Sequence, residues 1–203
     1  MASKTSRDGA AYSKVARRPS VLSGGGIDPL TQGELDGLCG LYAIINAIRL
    51  AYAPSLTIEL REARHLFTQG IGFLGDQGWL GPSVKNGMRR KRQTNLAVML
   101  ADCAFRDLGR PISIRPLSVS LAKQADVIWN EIETGHPVCA LFGGALDHYT
   151  VLSGVSDTRY QFFDSTGLSW VRRSSCEFSG GKKKARHRIK RRSLFSVAAP
   201  NEY

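Results

Sequence analysis

Gln32, Cys39, His148 and Asp164 have types and spacing that can do chemistry together. Cys39 opens the run CGLYAIINAIRLAY, in which Leu41, Ile44, Ile45 and Ile48 recur at helical spacing. The spacing predicts a helix over 39–52 with the cysteine in its first turn, and Asp36 suits its N-cap. Unpaired N–H groups and the helix dipole favour a thiolate there. Gly40 leaves space for a carbonyl to approach the sulfur. The Cys39 N–H can serve as one oxyanion donor, and the side chain of Gln32, in TQGELDGLCG, can supply a second. His148 begins a strand-like run that continues as YTVLSG, and Asp164 ends the next one, YQFFDS. Two antiparallel strands joined by a turn can set these residues side by side. The carboxylate then accepts the proton of one ring nitrogen while the other nitrogen faces the thiol. A plainer account has Cys39 as a core cysteine, His148 as a strand cap and Asp164 as the opening of the turn Asp-Ser-Thr-Gly.

The remaining cysteines and histidines are weaker candidates. Cys103 lies in an apolar helical run and Cys139 in an apolar strand-like run, so both are expected to be buried. Cys176 lies in a polar stretch with no evident role. His65 has polar helical neighbours, His136 sits in Gly-His-Pro and His187 lies inside a basic run. No two cysteines are close enough in sequence to suggest zinc, and neither metal nor cofactor is expected.

Several elements must position the four residues. A second helix is predicted over 57–67, opened by Ser55 or Thr57. The stretch 70–87, with six glycines and Trp79, suggests a long surface loop that could line a cleft. A third helix is expected over 95–108, closed by Gly109 and Pro111. The period then changes: a strand over 112–117, a helix over 121–133, and strands over 137–143, 149–154 and 160–165. ARHRIKRRSLFSVA alternates like a long edge strand. Helices first and a mostly antiparallel sheet after them make an α+β domain.

The 203 residues suffice for one domain. Residues 1–26 are polar, basic and glycine/serine-rich and are expected to be a disordered tail before a domain over 27–203. There is neither a secretory signal nor a run of 18 apolar residues, and no disulfide framework is needed. The expectation is a cytoplasmic protein, or one delivered into a host cell by a route that needs no signal peptide. The formal charge of +11 is concentrated at Arg89–Arg92 and Lys182–Arg192. It favours an acidic protein, nucleic acid or an anionic membrane as partner. The basic runs lack the aromatic interleaving of a nucleic-acid motif. In a strand, Arg186, Arg188, Lys190 and Arg192 would line one face as a row that steers an acidic partner, or that keeps an edge strand unpaired.

The set Gln32, Cys39-Gly40 before an apolar helix, Leu146-Asp147-His148 and then Asp164 resembles the papain-like cysteine peptidase superfamily. The resemblance covers roughly residues 30–198. It implies a helical part carrying the cysteine, packed on a C-terminal antiparallel sheet carrying histidine and then Asn or Asp. It makes Cys39 the nucleophile, His148 the base, Asp164 the orienting residue and Gln32 an oxyanion donor. Papain itself has Asn-Ser-Trp-Gly where this chain has Asp164-Ser165-Thr166-Gly167, and CGLYAIINAI looks more like compact bacterial members. Those include double-glycine peptidase-like domains and effector proteases or deubiquitinases. The implied activity is hydrolysis of an amide bond in a protein or peptide through a thioester. The same residues could serve a deamidase or acyltransferase. A non-enzymatic basic binding domain is the alternative from another class.

Overall fold

The computed structural model describes residues 20–22, 26–33, 36–117, 120–181 and 184–200. Among them are five α-helices: α1 (Cys39–Tyr52), α2 (Leu60–Asp76), α3 (Leu80–Asn86), α4 (Arg90–Leu108) and α5 (Gln124–Glu133). The strands are β1 (Ser20–Val21), β2 (Ser113–Pro116), β3 (Val138–Gly144), β4 (His148–Val155), β5 (Arg159–Phe163), β6 (Trp170–Arg172), β7 (Cys176–Phe178), β8 (His187–Ile189) and β9 (Phe195–Ala198). Helices dominate the first half and strands the second, so the chain is an α+β protein. The sheet runs β2-β9-β3-β4-β5-β6, with β1 added to β4 and β8 bridging β3 and β7. Its pairings are antiparallel except β7 with β8.

Alternation along the central strands feeds two cores. Cys139, Tyr149, Val151, Phe195 and Val197 pack with the buried side chains of α1, α2 and α4. Val138, Ala140, Phe142 and Leu152 pack with Ile128, Trp129 and Ile132 of α5. The sheet is thus covered on both faces, which is why β3 and β4 are nearly continuously buried. Among the described residues no helix is long and apolar enough to cross a membrane.

Several expected boundaries are corrected. Asp36 does not cap α1; Leu38 occupies that position, and the Asp36 carboxylate accepts the Leu38 N–H two residues on. Neither Ser55 nor Thr57 opens α2, which starts later through a reciprocal Glu59–Glu62 capping box. The expected glycine-rich loop over 70–87 is mostly the end of α2 and all of α3. Gly70 is there because a Cβ would come within 2.5 Å of a Leu41 methyl, so glycine lets α2 approach α1. Trp79 joins α2 to α3, edge-on to Phe73 with Arg92 over its ring. The third helix begins at Arg90, earlier than expected, and ends at Gly109 in the left-handed conformation. The expected helix over 121–133 starts as a 3₁₀ turn at Leu121–Lys123.

Two further corrections concern the ends of the chain. ARHRIKRRSLFSVA is not one edge strand: β8 and β9 are separated by a 3₁₀ turn at Arg191–Ser193, and both lie inside the sheet. Of Arg186, Arg188, Lys190 and Arg192, only Arg188 is in a strand, so the four do not form a row. Lys182 and Lys183 lie outside the described residues, as does most of the expected tail over 1–26. Within the span of the expected tail, Ser20 and Val21 form a short strand that pairs with Val155 and Gly154.

Candidate active site

Cys39 is the first residue of α1, with 8% of its surface exposed. The turn before it is held from two sides. The Gly37 N–H donates to the Val84 carbonyl at 3.0 Å, and a Cβ at Gly37 would lie 2.6 Å from the Ser83 carbonyl oxygen. Backbone therefore approaches backbone where only glycine fits. On the other side, buried Gln93 of α4 donates its Nε2–H to the Gly40 carbonyl at 3.3 Å. A Cβ at Gly40 would lie 2.7 Å from Gln93 Oε1, so the space beside Gly40 is filled by this amide.

His148 is the first residue of β4, opposite Phe142 of β3. The connection folds back through Gly144 at φ 84° and Asp147 at φ 40°, the one non-glycine residue with positive φ among the described residues. A left-handed aspartate is uncommon, and here it immediately precedes His148. Val151 pairs with Phe163, so one step further Asp164 comes opposite Thr150, diagonal to His148. The imidazole Nε2 lies 2.9 Å from Asp164 Oδ2. The other carboxylate oxygen, Oδ1, accepts the Thr166 N–H at 2.8 Å and the Thr166 hydroxyl at 2.7 Å. Asp164 is thus fixed by its own turn before it meets the histidine.

The electrostatics follow from this geometry. Burial alone would lower the His148 pKa. Hydrogen bonding to Asp164 and interaction with the nearby Cys39 thiol outweigh it and raise the value to about 9. Burial alone would raise the pKa of Asp164, and its interactions with His148, Thr150 and Thr166 bring it down to about 2. With 13% of the imidazole and none of the carboxylate exposed, His148 is the member that solvent can reach. The arrangement holds an imidazolium between a buried carboxylate and a sulfur at neutral pH.

No protein-family model matches the chain, and no curated protein matches it.

Gln32 is brought to the same place. Leu30, two residues earlier, is clamped by Asn46 of α1 through both its N–H and its carbonyl, at 2.7 and 3.1 Å. The Gln32 N–H donates to the Ser165 carbonyl at 2.9 Å, and its Oε1 accepts the Ser165 hydroxyl at 3.4 Å. Its side-chain amide also donates to the carbonyl of Asp36. Gln32 therefore bridges the turn before Cys39 and the turn after Asp164, leaving a second amide N–H to donate elsewhere. The structure brings all four sequence-predicted residues into one region.

The other histidines stand apart: His65 binds Asp107, His136 binds Glu131, and His187 is buried in β8. Cys103 and Cys139 are buried, and Cys176 is half-buried in β7. Gln93 and Thr166 were not anticipated from the sequence. Gln93 had a readable signal, because it precedes Leu96, Ala97 and Leu100 on the buried stripe of α4, where a polar residue needs a partner. Thr166 had none beyond its place in the turn.

Proposed function

We propose that the chain is a cysteine hydrolase with a papain-like arrangement, cleaving an amide bond in a protein or peptide through a thioester. The observation that carries this reading is His148, held between Asp164 and the Cys39 thiol with its pKa raised to about 9 by both. A histidine that only capped a strand would need neither partner. In the proposed reaction the Cys39 sulfur attacks the amide carbon as a thiolate, forming the C–S bond. The oxyanion takes hydrogen bonds from the Cys39 N–H and from the second N–H of the Gln32 amide. The His148 imidazolium gives its proton to the leaving amine as the C–N bond breaks. Water then attacks the thioester, with neutral His148 taking its proton, and the acid leaves as Cys39 is regenerated. Asp164 keeps the imidazole oriented throughout and stabilises its charged form.

The test is covalent labelling with an electrophilic acyl probe at neutral pH, followed by mass spectrometry of the labelled peptide. Selective modification of Cys39, lost in Cys39→Ala and strongly slowed in His148→Ala, is the expected result. Labelling that falls instead on Cys176, or that ignores His148, overturns the assignment. Trapping of partners with Cys39→Ala then identifies the substrate, and product analysis separates hydrolysis from deamidation or transfer to an amine.

A further inference from the structure

We infer that the chain carries a site for an oligophosphate, distinct in its residues from the Cys39–His148–Asp164 group. A cavity of about 510 Å³ is formed where the start of α4, Leu141 of β3, the turn after β7, and the 3₁₀ turn between β8 and β9 meet. Arg90, Lys190, Arg191 and Arg192 line it, together with Ser179 and Ser193, and among the described residues no carboxylate does. None of the four cations is in an ion pair among the described residues. The walls are built rather than draped. The Ser193 hydroxyl donates to the Lys190 carbonyl at 2.7 Å and accepts the Leu141 N–H at 3.0 Å. The Ser179 hydroxyl accepts the Arg191 N–H at 3.1 Å.

Four cationic side chains border one concave space, three of them exposed and all without an ion pair among the described residues, so the lining favours an anion. Edge protection does not explain it, because β8 and β9 are interior strands. The choice of phosphate over a carboxylate-rich protein rests on size and on arginine. The cavity takes a small ligand, and three guanidinium forks match phosphate oxygens through paired N–H donors. Two or three linked phosphates would balance the four cations.

The test is titration of tripolyphosphate into the full chain at low ionic strength, read by calorimetry. One saturable site is expected, retained in Cys39→Ala, so that the result does not depend on the hydrolase reading. The double change Arg90→Ser with Arg192→Ser should weaken binding at least about tenfold. Removing two exposed arginines elsewhere, Arg61→Ser with Arg64→Ser, should leave it nearly unchanged. If the serine pair disturbs folding, Arg90→Lys with Arg192→Lys keeps the charge, removes the forks and should still weaken binding. Equal loss in the pocket and control pairs would mean diffuse attraction and overturn the site. A glutamate-rich peptide of equal charge that binds more tightly than tripolyphosphate, and loses its binding with the same pocket changes, would replace the phosphate with an acidic protein.

Discussion

At the scale of single residues, His148 makes the protein sensitive to pH. Its folded pKa of about 9 lies above the ordinary 6.5 because Asp164 and Cys39 favour the charged ring over the cost of burial. The stability it contributes is therefore complete below about pH 6.5 and is lost as pH rises through 9. Asp164, lowered from 3.8 to about 2, contributes above 3.8 and loses that only as pH falls through 2. Between pH 6.5 and 9 the melting midpoint of the native chain should fall with pH more steeply than that of His148→Ala, measured by calorimetry. Parallel curves for the two proteins would deny the pair its energetic role. The same proton serves the proposed chemistry, so kcat/KM should decline above about pH 9, and Asp164→Asn should move that limb to lower pH. Replacing Gln32 with Ala should slow turnover by roughly 10²–10³ while leaving thiol alkylation little changed, as expected of an oxyanion donor. The nearness of these four residues was legible because the proposed roles of nucleophile, base and orienting carboxylate each admit few residue types. Gln93 was not, because its work is to fill the space beside Gly40, a relation between α1 and α4 that sequence spacing does not encode.

At the scale of elements, the glycines of α2 give the sharpest contrast. Gly72 and Gly75 are exposed and would admit a Cβ with nothing within 4 Å, whereas Gly70 faces Leu41. Gly72→Ala should stabilise by about 0.5–1 kcal/mol through helix propensity and a less flexible unfolded chain. Gly70→Ala makes the same local gain, yet its methyl must displace the fully buried Leu41, an overpacking cost of roughly 1–3 kcal/mol, so the net change should be a loss. Urea denaturation midpoints for the two variants test this, and equal shifts in the same direction would remove the packing argument. The contrast also explains why the glycines of α2 resemble those of a loop. Glycine count signals a loop only when the glycines serve turns, and one of these serves a helix contact. The end of the chain differs from the single strand its pattern predicts for a related reason. Alternation in ARHRIKRRSLFSVA was real, but the serine of the Arg191–Ser193 turn is tied to β3, which breaks the run into two interior strands. The helix of the cysteine and the hairpin-like order of β3, β4 and β5 were readable, since their apolar periods and turns are local.

At the scale of the whole molecule, the sequence order of helices and strands conveys the α+β class but not which face each helix covers. That depends on contacts between residues far apart in the chain, such as Cys139 with the Ala43 carbonyl at 3.6 Å. The consequence is a shared sheet with two cores. β3 sends Cys139 to the α1 side and Val138, Ala140 and Phe142 to the α5 side, so neither core can loosen without moving strands that the other requires. Unfolding should therefore be one cooperative transition, even though the cores touch different helices. Phe142→Ala offers the strongest test. Its ring is fully buried and packs edge-on against Tyr160 and Phe162, so its removal should cost about 3–5 kcal/mol. The helices on the opposite face should feel the full loss. Far-UV circular dichroism reports mainly the helices, and Cys39 alkylation reports opening at the start of α1. Both should shift to lower denaturant by the same amount as the fluorescence of Trp129, which lies in the damaged core, read with Trp79 and Trp170 changed to Phe in both proteins. A variant in which Trp129 becomes exposed while Cys39 stays protected at its original midpoint would show that the two cores unfold separately. It would also mean that α1 draws its stability from its own side of the sheet alone.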